Sequence, residues 1–294
     1  MFKPIFCSLL TGVILLMACE KNVTINPKPS PQMVVVEATI ENGQYPVVIL
    51  SRSFGLFASL SVEMLSESFI HDAEIDISDG RQTHRLKEYT RYTGPGVAYS
   101  YYTVDSSSAE AFRGETGQRY DLHITVEGKE FSAFTTIPEP EITLDSIWWE
   151  QATGDDSTKV VLMVTLTDKP GFGNYFRYYT KANDEPFYPG LFSVYDDQVT
   201  DGVTYSVEVE RGVDRNAELD PDTYNFFDRG DRVVLKLSEI DRATYDFWRT
   251  MEFSYTSIGN PFSSPTRVLT NISGGALGYF GGYASQFKFL QIPE

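Results

Sequence analysis

Cysteine is almost absent from this chain of 294 residues, and its scarcity excludes several kinds of chemistry. The two cysteines are Cys7 and Cys19, and no cysteine follows Cys19. The remaining chain therefore has no thiol pair for a disulfide, no thiolate for a metal and no cysteine nucleophile. A chain of this length buries a core large enough to be stable without disulfides.

Basic residues are also scarce: 24 Lys and Arg stand against 41 Asp and Glu, and the formal net charge is −17. Nucleic-acid binding depends on the neutralisation of phosphates by Lys and Arg. The same cations attract proteins to anionic lipid surfaces. The sequence therefore predicts no nucleic-acid partner and no charge-driven adhesion to a membrane.

Motifs that carry catalysis or bind cofactors are missing as well. The three histidines, His71, His84 and His123, lie far apart and form no His-x-His or His-x-x-x-His pair, so no zinc site is predicted. The chain has neither a Gly-x-Ser-x-Gly elbow nor a Gly-x-Gly-x-x-Gly phosphate loop. Carboxylates are abundant, but no pattern positions a pair for glycoside hydrolysis. We expect no enzyme activity, no cofactor and no catalytic residue.

One acidic stretch contains residues that could bind calcium. Asp220-Pro221-Asp222 precedes Asp228 and Asp231. This spacing is not that of an EF-hand loop, and solvated turns explain it better. We therefore predict no metal site.

The N-terminus has the pattern of a secretory signal. Lys3 precedes a short apolar run over residues 9–17 that is interrupted only by Thr11 and Gly12. This run is too short for a membrane-spanning helix, which needs about 20 apolar residues. The sequence therefore predicts a signal peptide over residues 1–18.

The end of this signal, Leu16-Met17-Ala18-Cys19, resembles the bacterial lipobox. The resemblance implies that Cys19 carries acyl chains such as palmitate after cleavage, and several acyl chains anchor a protein stably. Residues 19–32 contain three prolines and few apolar groups, which predicts a flexible tether. We expect a protein anchored to the outer membrane through Cys19. Its body could lie on the periplasmic face or on the cell surface.

The body of the chain is predicted to be mainly β, with two β-sandwich-like domains. It has 18 Tyr and 20 Phe, residues that favour strands. Residues 33–137 contain short alternating runs separated by turn signals such as Asn42-Gly43 and Asp79-Gly80. Their Gly-x-x-Tyr-x-Leu pattern resembles transthyretin-like and Ig-like sandwiches.

The segment Ile137-Pro138-Glu139-Pro140 is the best predicted domain boundary, since each proline removes a ladder donor. Residues 138–294 are predicted to form a second β-rich domain with one amphipathic helix near residues 239–255. We expect Ser238 to be its N-cap.

Aromatic side chains supply the candidate ligand-binding residues. Trp148 could stack on a ligand, and its neighbour Trp149 would then face the opposite side of the strand. Tyr279, Phe280 and Tyr283 lie in a glycine-rich stretch near the C-terminus. Glycines there predict sharp turns or close backbone approach, and a structural strand and turn is the simplest interpretation.

The C-terminal run Gly274-Gly275-Ala276-Leu277-Gly278-Tyr279-Phe280-Gly281-Gly282-Tyr283 looks like the ending of Bacteroidota lipoproteins grouped as DUF4249, a domain of unknown function. The lipobox, the Ile-Pro-Glu-Pro segment and the run Tyr245-Asp246-Phe247-Trp248 agree with this resemblance. It implies an envelope lipoprotein, often encoded beside TonB-dependent transporters, and gives no residue roles to carry over.

Two hypotheses of function follow. The first is a non-enzymatic accessory or binding component of a TonB-dependent nutrient uptake system, with the outer-membrane transporter as partner. The second is a structural or adhesive cell-envelope lipoprotein. An uptake accessory should show a concave aromatic pocket, whereas an assembly protein should expose a strand able to pair.

Overall fold

A computed structural model of the protein describes residues 31–55, 61–94, 97–108, 111–154, 156–257 and 266–294. The predicted signal peptide and the predicted lipidation site Cys19 lie outside these residues. Gln32–Glu294 form one compact unit. This unit is mainly β and has several sheets, which confirms the predicted fold class.

The described residues include two helices, α1 (Val62–Glu67) and α2 (Arg242–Thr256). Neither helix is long and apolar enough to cross a membrane. The strands are β1 (Val34–Glu41), β2 (Val47–Arg52), β3 (Glu74–Ser78), β4 (Thr83–Arg85), β5 (Lys87–Gly94), β6 (Val97–Thr103), β7 (Arg119–Val126), β8 (Lys129–Thr136), β9 (Ile142–Gln151), β10 (Lys159–Asp168), β11 (Tyr175–Ala182), β12 (Tyr188–Asp196), β13 (Thr204–Val209), β14 (Phe227–Asp228), β15 (Arg232–Ile240) and β16 (Leu277–Gln291).

Three sheets are built from these strands. The largest has eight strands in the order β12-β11-β15-β16-β1-β2-β6-β5. A second sheet has the order β13-β10-β14, with β9 also paired to β10, and a third has the order β4-β3-β7-β8. β1 pairs with β16 in parallel, whereas its other neighbour β2 is antiparallel.

The two smaller sheets pack against one face of the eight-stranded sheet. Alternate residues of β1, such as Val36 and Ile40, point into a core that includes Ile75 and Leu122 of the four-stranded β4-β3-β7-β8 sheet. A second core joins Leu235 of β15 to Leu162 of β10. Period-2 alternation along each strand therefore leaves the opposite face of the large sheet free for α2.

The predicted boundary segment at Ile137-Pro138 connects β8 to β9, and Ile137 itself is buried in the first core. The eight-stranded sheet, however, contains strands from both predicted segments, 33–137 and 138–294. The link between them is β16, which pairs with β1 on one side and with β15 on the other.

The start of α2 differs from the sequence prediction. Asp241 is the N-cap, and its side chain accepts a hydrogen bond from the backbone N–H of Thr244 over 2.8 Å. Ser238 lies within β15 instead, and its Oγ is 2.7 Å from Oγ of Ser285 on β16. The prediction of Ser238 as N-cap was wrong because the strand continues to Ile240.

Candidate ligand-binding site

Four neighbouring strands of the eight-stranded sheet, β11, β15, β16 and β1, present polar and aromatic side chains towards α2. Each strand contributes residues of one parity, because alternate side chains point to opposite faces. The parallel register places Glu37 of β1 beside Tyr279 of β16, and Glu41 beside Tyr283. The sheet therefore forms the floor of a site that α2 covers in part.

The larger chamber of this site is a cavity of about 720 Å³ between β1, β16, α2 and residues 267–276. Its lining is mostly apolar, and the charged residues in it are Glu37 and Arg267. The aromatic walls are supplied by Phe247, Trp248 and Tyr279. A chamber of this size and polarity is typical of sites for small molecules.

A second, more polar chamber of about 340 Å³ adjoins the first, and both share Glu37, Trp248 and Tyr279. Its lining adds Glu41 and Lys236, whose side chains form an ion pair with an N–O distance of 2.5 Å. Together the two chambers offer apolar walls at one end and hydrogen-bonding groups at the other.

Four aromatic side chains hold the wall between the chambers. The indole Nε1 of Trp248 donates a hydrogen bond to the Tyr283 hydroxyl over 3.0 Å, and the hydroxyls of Tyr283 and Tyr279 lie 3.3 Å apart. The Tyr279 ring stacks on Phe247 with ring centroids 4.4 Å apart. Burial raises the pKa of Tyr279 and that of Tyr283 above their usual range, so both phenols are neutral.

A buried network of charged side chains contacts Trp248 and holds it in position. The Arg177 guanidinium is 3.4 Å from the centroid of the Trp248 ring, and its Nε donates to Oγ of Ser193 over 2.9 Å. The same hydroxyl donates to Glu252 of α2, which also accepts from Arg215 over 3.1 Å. The buried Arg177 guanidinium, held by its hydrogen bond to Ser193, attracts the face of the Trp248 ring and favours its observed orientation.

Glu37 is the acidic group common to both chambers. Its side chain is reached by solvent, yet it stands in a concave wall of protein. Burial against this wall raises the pKa of Glu37, and the nearby positive charge of Arg177 opposes the rise. The raised pKa favours the protonated carboxyl, which can donate as well as accept a hydrogen bond.

The structure brings together two of the four predicted ligand-binding residues. Tyr279 and Tyr283 face α2, whereas Phe280 points to the opposite side of β16 and is fully buried in the core between the sheets. Trp148 lies on β9 in another sheet, and its Nε1 donates to Glu150 over 2.9 Å.

Sequence reasoning missed Trp248, Glu37 and Arg177 as members of the site. Trp248 belongs to the predicted amphipathic helix, but no sequence pattern assigned it to a ligand site. Glu37 and Arg177 are charged residues with apolar or aromatic neighbours on both sides, in the strands Val34–Glu41 and Tyr175–Ala182. A charge in such a strand is a usable signal for a polar group on a covered face, although it does not reveal which strands are neighbours.

The sequence is similar to a known protein family. No curated protein matches the sequence. The model of a family described as a domain of unknown function, DUF4249, matches residues 20–288, which is most of the chain. The chain therefore belongs to the DUF4249 family.

Proposed function

We propose that the protein is an outer-membrane-anchored lipoprotein that binds a small amphiphilic molecule beneath α2. In this proposal it is a non-enzymatic accessory of a TonB-dependent nutrient uptake system. The supporting observation is the pair of adjoining chambers, with apolar walls at one end and Glu37, Glu41 and Lys236 at the other. A ligand with an apolar body and a polar end would satisfy both parts.

The larger chamber lies close in sequence to the predicted lipid anchor, and this supports transfer of a bound ligand to a partner in the membrane. Met33 lines the larger chamber and follows the predicted lipidation site Cys19 after residues 20–32. A fully extended chain spans about 3.3–3.6 Å per residue, so this tether would keep the chamber within about 50 Å of the membrane. A bound ligand would then stay within reach of a transporter in the same membrane.

Binding of an apolar fluorescent dye such as anilinonaphthalene sulfonate tests the site. Met251 and Phe253 are both exposed apolar residues of α2, but only Met251 lines the chamber. We expect Met251→Glu to weaken dye binding at least about tenfold, because a negative charge enters an apolar site and repels the dye's sulfonate. The matched control Phe253→Glu should bind the dye as the wild type does. Equal effects of the two substitutions would contradict the proposed site.

Affinity purification of the tagged protein from its native host in mild detergent tests the partner. Mass spectrometry should recover a TonB-dependent transporter in near-stoichiometric amount. Recovery of the protein alone would contradict the uptake accessory.

A structural or adhesive role is the second candidate, and the edges of the large sheet favour it. β12 and β5 are its terminal strands. Phe192 and Tyr195 of β12 are about half exposed, at 50% and 45%. Edge strands with exposed apolar side chains can pair with another chain. In the same purification, an oligomer of this chain without a transporter would support this role.

A further inference from the structure

Two loops at one end of the sheets bring three aspartates together. Asp168 is the last residue of β10, Asp197 directly follows β12, and Asp201 lies four residues further on. One oxygen from each carboxylate lies within 4.8 Å of the other two. Two oxygens on opposite sides of one Ca²⁺ would be about 4.6–5.2 Å apart, because Ca–O distances are about 2.3–2.6 Å.

Two of the three aspartates are buried, and the described residues supply no cation that compensates their charge. Asp168 is only 3% exposed and Asp197 only 2%. Among the described residues, no Lys or Arg forms an ion pair with any of the three carboxylates. Buried carboxylates of like charge are costly unless a positive charge is present or a proton is taken up.

One oxygen of the cluster has no partner. Oδ1 of Asp168 accepts a hydrogen bond from the Asn174 side chain over 3.3 Å, whereas its buried Oδ2 has no hydrogen-bond partner in the described part of the chain. Nearly all buried polar atoms in native proteins are paired, so such an atom needs an explanation. A bound cation supplies one, since carboxylate oxygens are the ligands that hard cations prefer.

The surrounding backbone holds the carboxylates in place. Both oxygens of Asp197 accept hydrogen bonds from the N–H of Gly173, and Oδ2 also accepts from the N–H of Asn174. Oδ1 of Asp201 accepts from the N–H of Gly171 over 2.6 Å. The β10–β11 loop and the β12–β13 loop are thus already tied to each other around the three carboxylates.

We propose that Asp168, Asp197 and Asp201 bind one Ca²⁺ ion. Main-chain carbonyls and water would complete the six to eight oxygen ligands typical of this ion. Mg²⁺ fits less well, because it demands near-ideal octahedral geometry and keeps several of its waters.

The ion would cross-link two sheets. β10 and β13 belong to one sheet, and β11 and β12 belong to the eight-stranded sheet. The adjacent Asp196 accepts a hydrogen bond from the Tyr245 hydroxyl of α2 over 3.0 Å. Calcium at this point would therefore stiffen the end of β12, which also anchors the helix over the ligand chambers.

Thermal unfolding of the purified full chain, first stripped with EDTA and then given CaCl₂ or MgCl₂, tests the proposal. At a free Ca²⁺ concentration about 100 times the Kd, the Tm should rise by about 5–10 °C. MgCl₂ at the same concentration should raise it less. An unchanged Tm with CaCl₂, together with no heat of binding in calorimetry, would overturn the proposal.

Substitutions locate the site. Asp168→Asn keeps the shape of the side chain but removes one negative charge, so in EDTA this variant should be at least as stable as the wild type. With CaCl₂ it should lose most of the rise in Tm. Asp222→Asn, in the exposed acidic turn after β13, is the matched control and should keep the full rise. If Asp168→Asn does not fold, Asp201→Asn replaces it, and a full response to calcium in the substituted variant would refute the site.

Discussion

The indole N–H of Trp248 on α2 donates a hydrogen bond to the Tyr283 hydroxyl on β16 over 3.0 Å. Tyr283 is 4% exposed, and its hydroxyl is in turn 3.3 Å from that of Tyr279. This relationship fixes the helix to the sheet at the wall between the two chambers. The two residues are 35 positions apart in the sequence, so no local sequence pattern predicts their contact.

Removal of the Tyr283 hydroxyl should loosen this wall. Tyr283→Phe leaves the Trp248 N–H without its acceptor, and we expect a loss of about 1–2 kcal/mol in the free energy of unfolding. Urea unfolding followed by circular dichroism measures this loss. The control Tyr195→Phe removes a half-exposed hydroxyl that donates to the Phe192 carbonyl, and it should cost less than about 0.5 kcal/mol. Equal losses would show that the contact does not hold the wall.

The glycine-rich C-terminal stretch makes a second prediction. Gly278 has a φ of 98°, and a Cβ atom at this position would lie 1.8 Å from the Val36 carbonyl oxygen on the paired strand β1. We expect Gly278→Ala to cost about 2–5 kcal/mol, because the backbone strain adds to an overlap between strands.

The matched control for this substitution is three residues away. Gly275 also has a positive φ, 87°, but a Cβ there meets nothing within 4 Å. Gly275→Ala should therefore cost only the backbone strain, about 1–2 kcal/mol. Chemical denaturation of the two variants side by side checks the difference. Similar losses would mean that β16 moves away from β1 without cost.

The strands that local pattern specifies were predictable. Residues 33–40 are rich in β-branched residues and are followed by Asn42-Gly43, and they form β1 in an antiparallel hairpin with β2. Residues 204–210 alternate and form β13. In such segments a period of two and a turn dipeptide determine the local structure without help from distant residues.

The pairing of β16 with β1 was not predictable. The stretch around Gly278 was interpreted as a strand and turn, but nothing in it indicates a 15-residue strand that runs parallel to β1. Parallel pairing between the two ends of the chain depends on non-local contacts. The site shares this limit, because Glu37, Arg177 and Trp248 become neighbours only after the strand order is known.

The lipid anchor is tested by a pair of cysteine substitutions, since the described residues do not include Cys19. Cys19→Ala removes the sulfur that the lipobox resemblance assigns to acylation, so the protein should move from the membrane to the soluble fraction. Cys7→Ala changes the other cysteine, inside the predicted signal, and should leave the protein anchored. Cell fractionation with mass measurement of the N-terminus checks both. A Cys19→Ala protein that stays in the membrane would refute the lipoprotein hypothesis.

Glu239 makes the stability of the protein depend on pH. It is 2% exposed, and burial raises its pKa from 4.5 to about 7, although the backbone N–H groups of Glu141 and Ile142 donate to it. Between these two pH values the folded state binds more protons than the unfolded state, so the free energy of unfolding falls as the pH rises.

The size of this effect follows from the pKa shift, and a variant isolates it. One pKa unit corresponds to about 1.4 kcal/mol, so the loss between pH 4.5 and pH 7 is on the order of 3 kcal/mol.

Glu239→Gln cannot titrate, so the difference in unfolding free energy between wild type and Glu239→Gln should change by this amount. Asp168 also raises the pKa of Glu239, and EDTA should therefore be present throughout to keep metal binding constant. The control Glu130→Gln, at an exposed side chain, should differ little from the wild type in unfolding free energy. A pH-independent difference for Glu239→Gln would mean that the hydrogen bonds from Glu141 and Ile142 keep the Glu239 carboxylate ionised despite its burial.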